Sequence, residues 1–519
     1  MADQSMHLTN NELTLRKEVL SVGRHSLIYV VGQALSRAVG FFMIPIYTRF
    51  IAPTNYGAVE LIEILSAVAF MIISMNVSDA MSRFYYAEKE QTERNRVVST
   101  IIIGFGIIGI PIVLLFISIA GSVSNIVLEE AQYKYYLQIA MAGIWSVMLC
   151  EICYSYLRML YMAKIFVILT TIQLFIALSL NIYFVVFLKL NILGIFYSGL
   201  ITEGLIGIVL SLIILRRVGS HVSISMLWHM IKFGLPLVPT RIGLMLGFVS
   251  NRFFLRWFAS PDPAIALAQV GLFSLGHKFG VIINRFVTAP FNSFWGPRRL
   301  ELILNDSEGS GETAARICTY ATFLTVYLAL LLCSGIESLI EIVADPSYRG
   351  AHQVVPFIAL SYVALGLETH FITGILYKKK TIWSTYVSIL SLGIILVWNY
   401  LFVPKYGLIG AATSNLAGFS VRLVLIYIIS QRLYPIPFEL GRIAMMFATA
   451  AVLFTISQTI GFASPYLTFL ARTGFVALFP FFLFLLKFYS EGESDFIAHV
   501  LRKGRDRAET FYFQFWRAR

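Results

Sequence analysis

Charge is what this chain lacks: Asp, Glu, Lys and Arg make up 13% of its 519 residues, against 58% apolar residues. Soluble proteins carry about 25% charged residues, because a domain in water needs a polar shell. The deficit excludes a set of soluble domains, and the solvent for most of the surface has to be a bilayer. Cysteine is also scarce, and its four residues imply no disulfide framework. Cys150 and Cys153 share a helix face at i,i+3, but no His accompanies them. A buried pair of small thiols is expected there, and no metal site. A Walker-type phosphate loop is missing, which argues against direct ATP drive. So are a His-rich cluster and a Ser/His/Asp arrangement with loops able to house it. Long polar connections are absent as well. The longest outer ones, about 120–133, 257–268 and 337–352, are too small for a catalytic domain. No enzyme, no catalytic residue and no cofactor are expected.

What is present is a series of apolar runs: roughly 25–48, 56–82, 97–119, 134–157, 165–188, 193–215, 231–255, 269–295, 314–336, 353–376, 382–403, 408–430, 440–461 and 466–486. Each is near the ~20 residues that a helix needs to cross about 30 Å of hydrocarbon. The expected fold is all-α and polytopic, with about fourteen transmembrane helices. The formal net charge of +12 is explained by topology. With the N-terminus inside, about 27 of the 40 Lys and Arg fall on one side, among them Arg94, Arg96, Arg216, Arg217, Arg298, Arg299 and Lys378–Lys380. The other side keeps about 8, including Arg49, Lys134 and Arg349. Both termini are therefore expected in the cytoplasm, and no nucleic-acid partner is expected. The first 24 residues lack a compact apolar core and a small-residue cleavage pattern, so helix 1 is expected to serve as the insertion signal.

The chain divides into a cytoplasmic N-terminal segment (1–24), a six-helix bundle (25–215), a linker (216–230), a second six-helix bundle (231–430), two further helices (431–487) and a basic, aromatic tail (488–519). The tail is expected to lie on the inner leaflet. An internal repeat supports the two bundles. Arg49-Phe50-Ile51-Ala52 closes helix 1 and Arg256-Trp257-Phe258-Ala259 closes helix 7, each followed by proline, Pro53 and Pro261. Tyr56-Gly57 then opens helix 2 as Val270-Gly271 opens helix 8, after a seven-residue insertion. Parallel repeats of this kind are expected to place a substrate site between the halves and to support rocking.

Charged residues inside spans are costly and persist where they face a cavity or one another. Arg37, Arg241, Lys278, Arg285 and Arg422 lie too deep to snorkel easily and outnumber the nearby carboxylates. They are the candidate binding residues of a cationic cavity suited to an anionic substrate: a phosphate, a pyrophosphate or an acidic sugar. Asp79 and Arg83, at i,i+4, are expected to form a neutralised pair. Glu60, Lys189, Arg252 and Arg256 are expected to reach an interface, Glu203 to pair locally, and His370 to be a satisfied interior histidine. Pro236 and Pro239 are expected to bend the start of helix 7.

Several stretches resemble the polysaccharide (O-antigen, Wzx-type) flippases, the oligosaccharidyl-lipid branch of the superfamily that includes the multidrug and toxin extruders. They are residues 40–57 from Gly40 through Pro45, Arg49 and Pro53 to Tyr56-Gly57, then Asn76-Val-Ser-Asp79-Ala-Met-Ser-Arg83. Phe233-Gly234-Leu-Pro236-Leu-Val-Pro239, Val270-Gly271-Leu-Phe-Ser-Leu and 399–412, with Pro404, Gly407 and Gly410, complete the set. Together they cover roughly residues 20–435. The resemblance implies two pseudo-symmetric six-helix bundles, as in the multidrug and toxin extruders, plus two C-terminal helices. It implies a bacterial inner-membrane protein that flips an undecaprenyl-pyrophosphate-linked oligosaccharide by alternating access, for O-antigen, capsule or exopolysaccharide. H+ or Na+ is the implied coupling ion, with membrane lipids, a polysaccharide polymerase and glycosyltransferases as partners. By that analogy Arg37, Arg241, Lys278 and Arg285 contact the headgroup, and Asp79 and Arg83 form a gate or a structural pair. Where the family often has Asp-Arg late in helix 7, this chain has Asn251-Arg252, so a coupling role carried by that carboxylate is in doubt.

The rivals are a lipid II-type exporter, a multidrug exporter and, from another class, a membrane polysaccharide polymerase or ligase. A multidrug exporter should prefer an acidic cavity for cationic drugs. A polymerase should need a large outer loop carrying Arg, His or paired carboxylates.

Overall fold

The computed structural model describes residues 43–305 and 309–493. Among them there is no strand. Eleven helices are long and apolar enough to cross a membrane, or twelve if the bent pair Ile224–Gly243 and Met245–Phe258 is one span. The expected count of about fourteen is therefore not reached among the described residues, for two reasons. Most of the first stretch, with Arg37, lies outside them, and 382–403 and 408–430 run together in one 52-residue element.

The chain begins with α1 (Ile44–Phe50), α2 (Pro53–Ser74) and α3 (Val77–Ala87). It continues through α4 (Gln91–Val123), α5 (Lys134–Met159), α6 (Ala163–Ile182) and α7 (Ile192–Val218). Then come α8 (Ile224–Gly234), α9 (Val238–Phe258), α10 (Pro263–Gly280), α11 (Ala289–Leu304) and α12 (Ser310–Val343). The last are α13 (Val355–Phe371), α14 (Thr373–Tyr377), α15 (Ile382–Leu433), α16 (Leu440–Gln458), α17 (Pro465–Val476) and α18 (Phe479–Leu485). Proline at the first position starts α2, α10 and α17, where its missing N–H costs nothing. Span Ala163–Phe187 has a mean hydropathy of 2.2, yet only 6% of its most apolar window is buried. A helix apolar on all sides and so little covered is stable only against lipid.

Three breaks shape the helices. Between α2 and α3, Met75 (φ 43°) and Asn76 (φ 55°) are both left-handed, a conformation that costs about 1–3 kcal/mol per non-glycine residue unless its surroundings hold it. Between α8 and α9, Pro236 contributes a 3-10 turn at Leu235–Leu237. The larger bend, 47°, falls after Gly243, one to two turns beyond the prolines that were expected to produce it. In α15, Gly407 leaves the helix (φ 51°, ψ −121°). Trp398 Nε1 donates to Thr413 Oγ1 at 3.1 Å and Ser391 Oγ donates to the Gly418 carbonyl at 2.9 Å. A straight helix would hold residues 391 and 418 about 40 Å apart, so α15 is a hairpin of two antiparallel spans, with glycine at its turn.

α2 and α10 run side by side in the same direction, and their closest approach is reciprocal. A Cβ on Gly57 would lie 1.9 Å from the Leu267 carbonyl oxygen and 3.0 Å from the Gly271 nitrogen. A Cβ on Gly271 would lie 2.1 Å from the Pro53 carbonyl oxygen and 3.0 Å from the Gly57 nitrogen. Leu267 precedes Gly271 by four residues, as Pro53 precedes Gly57, so each glycine meets the same features of the other helix. The two glycines matched by the sequence repeat thus face each other across a local two-fold axis, and only glycine allows that backbone contact. A large buried cluster surrounds this crossing and the N-terminal helices. A second occupies the C-terminal helices from Ile283 to Phe488.

Candidate functional site

One turn past Gly57, α2 presents Glu60; two turns past Gly271, α10 presents Lys278. Lys278 Nζ lies 2.6 Å from Glu60 Oε1, donates to Tyr56 Oη at 2.6 Å and sits 4.8 Å above the Tyr56 ring. Glu60 is 7% exposed, so the ion pair offsets the desolvation that a lone carboxylate would suffer there. Arg252 of α9 joins them at 5% exposure. Its guanidinium stacks 5.0 Å over Phe273 and donates to the Phe248 carbonyl and Asn251 Oδ1, both at 3.2 Å. No carboxylate forms an ion pair with it among the described residues. His277 faces Tyr362 Oη at 3.3 Å, with Arg252, Lys278 and Arg285 all in electrostatic reach. Arg285 follows in a π-helical segment, Asn284–Thr288, and is exposed.

The second cluster stands at the break in helix 2. Gly234 of α8 packs against it so closely that a Cβ would lie 1.8 Å from the Met75 carbonyl oxygen. Asp79 Oδ2 accepts from Asn76 Nδ2 at 2.9 Å and from Arg241 Nη2 at 2.8 Å. Asp79 and Arg241 line a cleft of about 490 Å³ with a second ion pair, Glu151–Arg158, at 2.7 Å. A separate cavity of about 470 Å³ lies among the N-terminal helices, and among the described residues Glu63 and Glu203 are the charged ones that line it.

Several expectations change. Asp79 does not pair with Arg83: its cation is Arg241, and Arg83 instead stacks 5.0 Å over Phe233 of α8. Sequence spacing offered Arg83 as the nearest partner, whereas the close packing of Gly234 on the Met75 carbonyl sets helix 7 beside the break and Arg241 within reach. The described cations do not outnumber their partners as expected. Arg241 is held by Asp79, Lys278 by Glu60 and Arg422 by Glu368 at 2.8 Å. Glu368 and Arg422 belong to the same C-terminal half, so that pair does not join the halves. Arg285 alone of the four has no carboxylate partner among the described residues, and Arg37 lies outside them. Glu60, Arg252 and Arg256 do not snorkel. Arg256 is 1% exposed and bound to the Leu128 carbonyl and Glu129. His370 is buried with Nδ1 unpartnered, not satisfied. Glu203 accepts from Gln173 of the neighbouring α6 at 2.7 Å rather than from a residue of its own helix, and Cys150 and Cys153 are buried free thiols.

The residues that sequence reasoning passed over are Glu60 and Arg252. For Glu60 a signal was available in the repeat, since it stands one turn past Gly57; Arg252 lies on another helix and had none.

Fold and site together define a multi-pass α-helical membrane protein whose halves meet through glycines and ion pairs. The same fold occurs in the lipid II flippase MurJ in its inward closed conformation. The likeness has a TM-score of 0.69 at 14% identity and covers 89% of this chain and 99% of that one. It occurs also in the inward-facing conformation of a multidrug resistance MATE family transporter of the MOP superfamily. There the TM-score is 0.56 at 15% identity, covering 78% of this chain and 97% of that one. The chain belongs to the polysaccharide biosynthesis protein family, whose model matches residues 22–299. A comparison with curated proteins gives no match.

Proposed function

We propose that the protein flips an undecaprenyl-pyrophosphate-linked oligosaccharide across the bacterial inner membrane by alternating access, for surface polysaccharide synthesis. Family membership and the fold shared with a lipid II flippase support the reading. The observation that carries it is that two ion pairs, Glu60–Lys278 and Asp79–Arg241, cross between the halves. In both, the N-terminal half (25–215) gives the carboxylate and the C-terminal half (231–430) the cation. A pyrophosphate headgroup competes with the carboxylate for the cation, so its binding unties the halves. A ligand shifts a conformational equilibrium only through contacts that differ between the states, and this exchange is such a difference. Arg285 supplies the unpaired positive charge that attracts the headgroup. Asp79–Arg241, beside the left-handed break at Met75–Asn76, acts as a gate that Arg83 steadies on Phe233. Both termini lie in the cytoplasm, and H+ or Na+ drives the cycle. A polymerase and glycosyltransferases are the partners on either side of this step.

Leaflet-resolved labelling of the lipid-linked glycan tests the reading. Cells without the protein, or with Arg285→Gln at normal membrane levels, are expected to keep the glycan in the cytoplasmic leaflet. Undiminished transfer in its absence would overturn the proposal. The acidic cavity with Glu63 and Glu203 favours a second reading, export of organic cations. Retention of a cationic dye on loss of the protein, with glycan transfer intact, would select it.

A further inference from the structure

We infer that a second ligand site, for an anionic lipid, lies inside the C-terminal helices between α11, α12 and α13. A pocket of about 450 Å³ opens there, within the ~300–1,000 Å³ usual for ligand sites. Thr288 Oγ1, Trp295 Nε1 and His370 Nδ1 belong to its lining residues, and all three atoms lack a hydrogen-bond partner. Those residues are 6%, 6% and 3% exposed. Arg299, one turn past Trp295 on the same face, is 5% exposed, with Nε and Nη1 unpartnered. It forms no ion pair among the described residues, and it lies in electrostatic reach of His370.

Buried polar atoms left without partners are rare, and each is costly. Indole and guanidinium N–H groups can only donate, so the missing partner is an acceptor. A buried guanidinium without an ion pair among the described residues selects an anionic one. Much of the rest of the wall is apolar, with Phe291, Ile317 and Leu324 among its residues, although Asn292, Tyr320, Thr322 and Thr325 also line it. At the rim Phe294 is 78% exposed and Leu324 43%, which opens the pocket toward the bilayer.

The order of these groups along the helices matches a lipid. Arg299 stands about 7 Å from the end of α11, whereas Leu324 lies roughly 20 Å into α12 from Ser310. Arg299 and Trp295 are thus toward the end where α11 and α12 are joined, whereas Thr288 lies about as deep as Leu324. Trp295 and Tyr320 stand between Arg299 and Leu324, as aromatic residues do at a membrane interface. A phosphate headgroup on an acyl chain fits this polarity; a soluble anion leaves the apolar wall empty. The site is separate from the crossing of the halves, and its occupant braces α11 against α12 and α13.

Delipidated full-length protein in detergent, followed by native mass spectrometry and thermal unfolding, tests the inference. Phosphatidylglycerol is expected to stay bound and to raise the Tm; phosphatidylcholine and inorganic phosphate at equal concentration are not. Arg299→Gln is expected to weaken phosphatidylglycerol binding by roughly tenfold or more. Trp295→Phe, which keeps the ring and removes only the donor, should weaken it several-fold and remains informative if the arginine variant does not fold. Equal effects of phosphatidylcholine and phosphatidylglycerol overturn the anion site. A Tm rise from inorganic phosphate alone overturns the lipid. Unchanged binding in Trp295→Phe overturns the pocket.

Discussion

Glu60 and Lys278 meet at 2.6 Å across the two helices that pass closest at Gly57 and Gly271. The pair ties the halves where they can least move apart, and it buries Glu60 while Lys278 keeps a third of its side chain exposed. Removing one partner leaves the other uncompensated, which is worse than removing both. Lys278→Met is expected to lower stability by about 3 kcal/mol. Glu60→Gln in the same chain should recover most of that loss, as read by thermal unfolding in detergent. Equal Tm in the single and double variants would show that the pair carries no coupling.

Asp79 and Arg241 behave differently, because their side chains are 57% and 52% exposed. Such a pair contributes at most about 1 kcal/mol to stability. Asp79→Lys or Arg241→Glu should therefore leave the Tm within a few degrees of wild type and yet impair glycan transfer. The double swap, which restores an opposite pair, is expected to regain transfer. Failure of the swap with normal folding would remove the pair from the gate.

The glycine crossing predicts that Gly57→Ala and Gly271→Ala each reduce the yield of folded protein. The added methyl would meet a backbone carbonyl at about 2 Å, and a backbone atom cannot turn aside as a side chain can. A loss of at least about 1–3 kcal/mol is expected at either position. Gly143→Ala, where a Cβ meets nothing within 4 Å, is the control.

Beyond the last spans, Glu493 fastens the chain to the bundle. Burial raises its carboxyl, but bonds from Tyr320, the Ser490 backbone N–H and Arg442 outweigh that and hold it below the ordinary glutamate range. A lowered folded-state pKa means the stabilisation is complete above the ordinary value and is lost as pH falls through the lowered one. Proteolysis near residues 488–493 should thus accelerate on acidification in wild type. In Glu493→Gln it should be fast and flat with pH.

Much of the fold was legible because bilayer spans announce themselves by length, and each stretch expected from 56–82 onward falls on helix, although several of those helices are broken and two of the stretches share one element. The repeat was legible in two glycines, although only coordinates could show that they touch. The site was less legible. Charges that looked solitary along the sequence found partners on other helices, since i,i+4 spacing describes neighbours on one helix and says nothing about a facing one. Asp79 shows the error most clearly: Arg83 is closer along the chain, and Arg241 is closer in space. Arg252 was misjudged because distance from a helix end suggested escape to water, while packing against Phe273 closed that route.

In the proposed transport cycle the reciprocal glycine contact would serve as a fulcrum. Ser74, at the far end of α2, lies 17 residues beyond Gly57, or about 25 Å along the axis. Tilting α2 against α10 by about 10° around the crossing swings that tip by roughly 4–5 Å. That travel exceeds the reach of the Asp79–Arg241 bond, so a small scissor movement at one end is enough to part the other.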